Sequence, residues 1–295
     1  MRALKQDSVI ALGTFDGVHL GHRKLIDTAL ALAKERGLRP LIYTFSNHPL
    51  EAFGQTPRLL MPGARRVAFL SGLCETVAEP FDRAFAAMEP AGFVEMLLRR
   101  YAMKEAVGGF NYTFGSRGAG DMDLLRALGG KLGFAVCEIP PETYGGAPIS
   151  SSRIRAALEA GRVEDAGAML GRPFTLAGRV AAGKAIGHSL GFPTANLDVA
   201  PNLVLPASGV YAVWAVLQDG TRRPAVTNVG DNPTVGGTKT TVETHILDTQ
   251  ADLYGQALEV AFVGRLRGDV RFPSREALSA QIGRDVAAAR ALLAQ

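Results

Sequence analysis

Two histidines separated by a leucine and a glycine, His19-Leu20-Gly21-His22, close a run that begins Gly13-Thr14-Phe15-Asp16-Gly17-Val18. Imidazoles can hydrogen-bond an anionic oxygen, and Gly13, Gly17 and Gly21 let backbone approach a ligand with no Cβ in the way. An apolar run at 9–12 precedes this segment and reads as a buried strand. Leu25, Ile26, Ala29, Leu32 and Ala33 follow it at helical spacing. The glycine turn therefore opens a helix, whose unpaired N–H groups and partial positive charge suit phosphate. A histidine that merely caps a strand-to-helix turn is the plain alternative for His-x-Gly-His taken alone.

A second anion-friendly cluster is Ser150-Ser151-Ser152-Arg153-Ile154-Arg155, just before a helical stretch at 156–160. Hydroxyls at a helix start usually cap it, but capping does not require arginine. Hydroxyls, free N–H groups and guanidinium groups together make a cradle for a triphosphate tail. Further on, Gly187-His188-Ser189-Leu190-Gly191-Phe192-Pro193-Thr194-Ala195-Asn196 offers the Thr194 hydroxyl and the Asn196 amide oxygen, hard donors that Mg²⁺ accepts beside phosphate. A Pro-Thr turn with an asparagine cap is the plain reading of that stretch. The segment Gly109-Phe110-Asn111-Tyr112-Thr113-Phe114-Gly115 mixes rings and glycines; it either packs against a planar heterocycle or plugs a core. His48, after a strand at 40–45, either contacts phosphate or ribose or stabilises a turn.

The elements that must hold these residues fall into two sets. With 295 residues, 47% hydrophobic and 20% charged, the chain is long enough for two globular domains. Gly37 stops the first helix, and the strand at 40–45 completes a βαβ opening, which implies a parallel sheet. Helical spacing returns at 63–70, 90–100 and 163–170, with strands expected at 106–108 and 134–139. Beyond Gly171-Arg172-Pro173 short β-rich runs take over, at 174–180, 209–217, 224–229, 240–246 and 258–263, separated by Gly, Pro and Asn turns. They predict a small antiparallel β-barrel. A last helix, opened by Ser274, carries Leu278, Ile282, Val286 and Leu293 on one side. The expected division is 1–170, an α/β Rossmann-like domain, and 171–295, the barrel with its C-terminal helix.

The formal charge of +4 comes from scattered pairs (Arg65-Arg66, Arg99-Arg100, Arg222-Arg223), not a run, which speaks against a nucleic-acid partner. Cys74 and Cys137 are far apart and outside any metal-ligand spacing. The N-terminus reaches strand-like sequence too soon for a signal peptide, and no apolar stretch would cross a bilayer, so a cytoplasmic protein is expected. Oligomeric state is not legible.

The Gly-Thr-Phe-Asp-Gly context of the first motif, followed in order by Ser-Ser-x-x-Ile-Arg at Ser150, Ser151, Ile154 and Arg155, resembles the HxGH nucleotidyltransferase superfamily. In its full form it is similar to the FAD synthetase module of bacterial riboflavin kinase/FAD synthetases. Gly191-Phe192-Pro193-Thr194-Ala195-Asn196-Leu197 resembles the hallmark of riboflavin kinases. Asn228-Val229-Gly230-Asp231-Asn232-Pro233-Thr234, Val242-Glu243-Thr244-His245, Asp252-Leu253-Tyr254-Gly255 and Leu266-Arg267 with Phe272 continue the match, so the likeness spans essentially the whole chain.

That resemblance implies two reactions, riboflavin to FMN with ATP in the barrel and FMN to FAD with a second ATP in the α/β domain. It implies Glu243 as the kinase base, with Mg²⁺ near Thr194 and Asn196. It places Gly13, Phe15, Asp16, Gly17, Gly21, Ser150, Ser151, Arg155, Gly183, Gly191, Pro193 and Thr194 at nucleotide or phosphate, and His19 and His22 at the α-phosphate. His48, Asn111 and Phe114 would meet flavin or nucleotide. His188, Ser189, Asn232 and Asp269 depart from the family's usual residues. Two other readings stand beside this one: a nucleotidyltransferase for FMN or another phosphorylated metabolite with an inactive barrel, and a flavin-binding regulator that contacts RNA, which lacks the expected Lys/Arg stripe.

Overall fold

Along β1 (Ser8–Leu12) Val9 and Ala11 face one side and Ile10 and Leu12 the other, and all four are buried. A strand covered on both faces needs neighbours on both edges and helices on both faces. A computed structural model, which describes residues 6–181, 192–234, 237–249 and 253–294, supplies them. The chain divides into two units, Met1–Ser151 and Ser152–Gln295.

In the first unit β2 (Arg39–Phe45), β3 (Thr76–Glu79), β4 (Met103–Gly109) and β5 (Ala135–Ile139) join β1 in a sheet of order β3-β2-β1-β4-β5. All its pairings are parallel, with Ile10 opposite Leu41 on one side and Ala106 on the other. One face packs Ile10, Leu12 and Tyr43 against Phe93 and Leu97 of α4 (Pro90–Tyr101) and Leu125 of α5 (Met122–Leu132). The other packs Val9, Ala11 and Ile42 against Leu25, Ile26 and Ala29 of α1 (Leu20–Arg36) and Leu70 of α2 (Gly63–Ser71). This is a doubly wound, Rossmann-like sheet. Its order reverses between β1 and β4, and ligands of such sheets gather beyond the carboxyl ends of the two strands that flank the reversal.

Two short elements escaped the sequence pattern. The edge strand β3 is only four half-buried residues, and α3 (Arg83–Ala86) is a single turn capped by Asp82. A hairpin, β6 (Thr143–Tyr144) with β7 (Ala147–Pro148), precedes α6 (Ser151–Glu159). That helix starts at Ser151, not at 156, so Ser151 and Ser152 open its first turn. Strand β4 is longer than expected because Glu105 interrupts the apolar pattern; it is buried with its charge met by Arg36 at 2.8 Å.

In the second unit α7 (Val163–Leu170) packs on β8 (Phe174–Ala181) and β13 (Ala257–Gly268). With β9 (Ala195–Asp198), β10 (Gly209–Leu217), β11 (Arg222–Thr234) and β12 (Gly237–Ile246) these strands close a six-stranded antiparallel barrel, ordered β10-β11-β12-β9-β8-β13. Tyr211 meets Phe262 edge-on at 5.3 Å, and Phe262 lies 6.1 Å from Phe174. The paired hydroxyls of Thr227 and Thr244, 2.8 Å apart, satisfy each other in the buried interior. The C-terminal helix α8 (Arg275–Leu293), capped by Ser274, lays Val286, Ala289, Leu292 and Leu293 over Val210, Ala212 and Val226 on the outer wall.

Candidate active sites

The first centre lies between β1 and α1. Phe15 and Val18 adopt left-handed backbone (φ 55° and 43°) around Gly17 at φ 78°. For residues other than glycine this costs on the order of 1–3 kcal/mol each and persists only where surroundings enforce it. Here both side chains are fully buried. A Cβ on Gly13 would lie 2.9 Å from the Phe15 ring, so the turn closes only with glycine there.

His19 is the N-cap of α1, its Nδ1 accepting from the His22 N–H at 3.3 Å. An accepting Nδ1 leaves the His19 proton on Nε2. The two imidazoles stack with centroids 3.6 Å apart and planes 15° from parallel, and Phe15 meets His22 edge-on at 5.3 Å. His22 Nδ1 is buried with no hydrogen-bond partner among the described residues. Burial, then the neighbouring His19 and the Arg66 guanidinium, hold the His22 pKa well below 6.5. His22 is therefore a neutral imidazole at pH 7, a hydrogen-bonding group and not a fixed cation.

Ser151, first residue of α6, donates its hydroxyl to the Asp16 carbonyl at 3.0 Å. Ser151, the last residue of the first unit, is thus tied to the same Gly13–Val18 segment that leads into α1. Arg155 is the fifth residue of α6, while Ser150 directly precedes that helix. The Asp16 carboxylate is buried and accepts from the Leu60 N–H at 3.2 and 3.3 Å. An acceptor-only carboxylate repels phosphate oxygen, so Asp16 shapes the turn, as does the buried Phe15.

The ring-and-glycine loop follows β4, the other strand at the sheet's reversal. Phe114 is 6% exposed and packs with Phe93 and Tyr112, the packing that the core-plug alternative describes. Phe110, 43% exposed, and Asn111 stay at the surface. His48 takes the turn-stabilising alternative: its Nδ1 accepts from Leu50 N–H at 3.2 Å, and Glu51 returns a bond to His48 N–H at 3.3 Å, capping a 3-10 helix at Pro49–Phe53.

Arg66 was not singled out in the sequence. It is 1% exposed on α2, donates to the Phe45 carbonyl, and has Nε without a partner among the described residues. Its charge acts on His22, and of the carboxylates that act on it in turn Asp16 has the larger effect, ahead of Glu51. The available signal was an arginine four residues before Leu70, on the buried stripe of a short helix.

The second centre lies on the barrel. Glu243 of β12 pairs with Asn228 on one side and Asn196 on the other, so the three side chains share one face. Val242 and Thr244 are buried on the opposite face, which turns Glu243 outward from the barrel interior. Thr194 directly precedes β9, in the irregular segment it shares with Phe192 and Pro193. Gly183, Gly191, His188 and Ser189 lie outside the described residues, as does Asp252.

A doubly wound sheet with stacked imidazoles at its reversal, and a separate barrel presenting a carboxylate beside amide and hydroxyl oxygens, define a two-centre enzyme of nucleotide phosphate chemistry. Comparison with known proteins agrees part by part, for the FAD synthetase family matches residues 1–153 and the riboflavin kinase family residues 170–293. The chain belongs to the bifunctional riboflavin kinase/FMN adenylyltransferase family. It is 35% identical to the bifunctional riboflavin kinase/FMN adenylyltransferase of Escherichia coli K12 over 98% of this chain and 94% of that one. The enzyme of the same name from Bacillus subtilis is 35% identical over 94% and 90%. A crystal structure from Streptococcus pneumoniae, titled a macrolide-efflux protein, superposes with a TM-score of 0.89 at 32% identity, covering 98% of this chain and 95% of that one. In the present chain, no helix among the described residues is long and apolar enough to cross a membrane.

Proposed function

We propose that this chain converts riboflavin to FMN and FMN to FAD, each with ATP, at its two separate centres. The observation that carries the first centre is the stacked imidazole pair at the cap of α1, on a glycine turn whose Asp16 carbonyl the Ser151 hydroxyl also holds. An FMN phosphate oxygen attacks the α-phosphorus of ATP, forming the new P–O bond as the bond to the pyrophosphate oxygen breaks. The nucleophile is already an anion, so the protein's task is to stabilise charge at the phosphorus being attacked. Nε2–H of His19 and the neutral imidazole of His22 face the α-phosphate oxygens, with the backbone of Gly13, Gly17 and Gly21 allowing close approach. The head of α6, with Ser150, Ser151 and Arg155, holds the departing pyrophosphate. Asn111, on the loop beyond β4, meets the flavin or the adenine.

In the barrel the Glu243 carboxylate accepts the proton of the terminal ribityl hydroxyl as that oxygen attacks the γ-phosphorus and ADP leaves. Asn196 stands opposite Glu243 and Thr194 two residues before it. One carboxylate with an amide and a hydroxyl oxygen suits a hard cation that takes its other ligands from phosphate and water. No cluster of three His, Cys, Asp or Glu among the described residues would cage a softer metal. Thr194 and Asn196 would hold Mg²⁺, which when bound neutralises charge on the ATP phosphates.

We assign the adenylyltransferase to residues 1–170 and the kinase to 171–295, although α6 and α7 fold with the barrel unit. The two cysteines, Cys74 and Cys137, are both free and each is half-buried, and we place the reactions in the cytoplasm. The test is to incubate the full chain with riboflavin and MgATP and separate the products. FMN with ADP, then FAD with pyrophosphate, is expected; absence of both flavins refutes the assignment. FAD made from added FMN, with riboflavin left unphosphorylated, would favour a nucleotidyltransferase with an inactive barrel.

A further inference from the structure

We infer that His245 is a positioning residue of the phosphoryl-transfer centre, tying the segment that carries Thr194 to the strand that carries Glu243. The inference rests on the barrel site proposed above. Pairing between β9 and β12 covers Glu243 with Asn196 and Thr244 with Ala195. The next residue along β12 is His245, and opposite it the neighbouring strand has already given way to the irregular segment at 192–194.

At that point one side chain continues what the backbone ladder began. The His245 ring Nδ1 lies 2.8 Å from the Pro193 carbonyl oxygen. A carbonyl can only accept, so Nδ1 carries the proton and donates. Proline has no N–H, so this carbonyl is its one backbone hydrogen-bonding group. The same imidazole receives the Phe192 ring edge-on, centroids 5.5 Å apart and planes 86° from parallel. Two consecutive residues of the segment are thus held by a residue two positions from Glu243, on the same face of the same strand.

What the tie fixes is the separation between oxygen donors upstream and the carboxylate. Thr194 follows Pro193 directly, and Asn196 already stands opposite Glu243. Loosening the segment would move the Thr194 hydroxyl relative to Glu243 and Asn196 while leaving Glu243 in its strand. Since small misplacements at a phosphate site are costly, the loss should fall on binding of the metal–nucleotide and less on the proton-accepting step.

The test uses the full chain, with riboflavin phosphorylation measured against MgATP concentration. His245→Phe keeps a ring against Phe192 and removes the donor; His245→Asn can still offer an N–H near the position of Nδ1. The phenylalanine variant should raise KM for MgATP by roughly tenfold with a smaller change in kcat, and the asparagine variant should recover most of that loss. His245→Leu, the same shape as asparagine without its donor, replaces the phenylalanine variant should the latter fail to fold. FMN-to-FAD conversion by the same protein and its thermal midpoint report whether the chain is intact. Unchanged KM in the donorless variants overturns the inference, as does an equal loss in the asparagine and leucine variants. Glu243→Gln separates the two levels: full kinase activity in it would refute the site itself, whereas its loss alongside normal His245 variants would refute only the role of His245.

Discussion

His22 stands with its Nδ1 sealed from water, stacked on one imidazole and within the field of the Arg66 guanidinium. All three depress its pKa, burial most. The consequence for stability has a definite sign. Above pH 6.5 His22 is neutral both folded and unfolded, and its contribution is whole. As the pH falls below 6.5 the unfolded chain binds the proton first, so native stability drops with acid. Thermal midpoints of the wild type and His22→Gln, compared across that range, should converge as pH falls; a constant gap would contradict a depressed pKa. Arg66 gives a second check at this scale. Arg66→Met should move the His22 titration upward, still short of 6.5 because burial remains, as followed by imidazole proton NMR. The same variant should slow FMN adenylylation without touching riboflavin phosphorylation. The histidine pair was readable because its spacing is local, set by one turn and one helix. Arg66 was not, because its burial depends on how α2 docks, and its one sign in sequence, helical spacing to Leu70, is easily outweighed by its charge.

At the scale of elements, the long regular pieces followed from periodicity. The sheet of the first unit, the barrel of the second and the terminal helix all carry apolar patterns that burial demands. What failed to announce itself was short or interrupted, such as the four-residue β3, the single-turn α3 and β9, hidden inside a stretch that reads as a turn. β9 matters most, because it makes Asn196 a strand residue opposite Glu243. The terminal helix has a further anchor invisible to a hydrophobic pattern. Asp285 of α8 is 5% exposed and takes a forked pair of bonds from Arg267 of β13, at 3.1 Å from Nε and 2.8 Å from Nη2, with Gln281 adding one at 2.8 Å. Arg267 also reaches the Gly268 carbonyl and covers the Phe272 ring, 5.6 Å from its centroid. Asp285→Ala strands a guanidinium that is largely covered, and should cost about 2–3 kcal/mol in urea unfolding, reduced from the fully buried case because Arg267 keeps other contacts. Asp285→Asn, which can still accept, should cost less. Equal stability of the alanine variant and wild type would show that apolar packing alone holds α8.

For the molecule as a whole, the chain joins two chemistries that share nucleotide substrates but no catalytic group. In the assignment proposed above, the first centre would work through the His19–His22 pair at the head of α1 on an α-phosphorus, and the second through a carboxylate and hard oxygen donors on a γ-phosphorus. Nothing in either centre borrows a side chain assigned to the other, so the reactions should be separable by single substitutions. Glu243→Ala should abolish FMN formation from riboflavin yet keep FMN-to-FAD conversion, and His22→Ala should do the reverse, with losses of at least about 100-fold in the affected step. The stronger consequence concerns the two variants mixed. FMN released by the His22→Ala chain can reach the intact first centre of the Glu243→Ala chain through solution. An equimolar mixture supplied with riboflavin and MgATP should therefore make FAD, after a lag in which free FMN accumulates, although neither variant makes it alone. FMN that builds up in the mixture and is never adenylylated would mean that one centre acts only beside a functioning partner in the same chain.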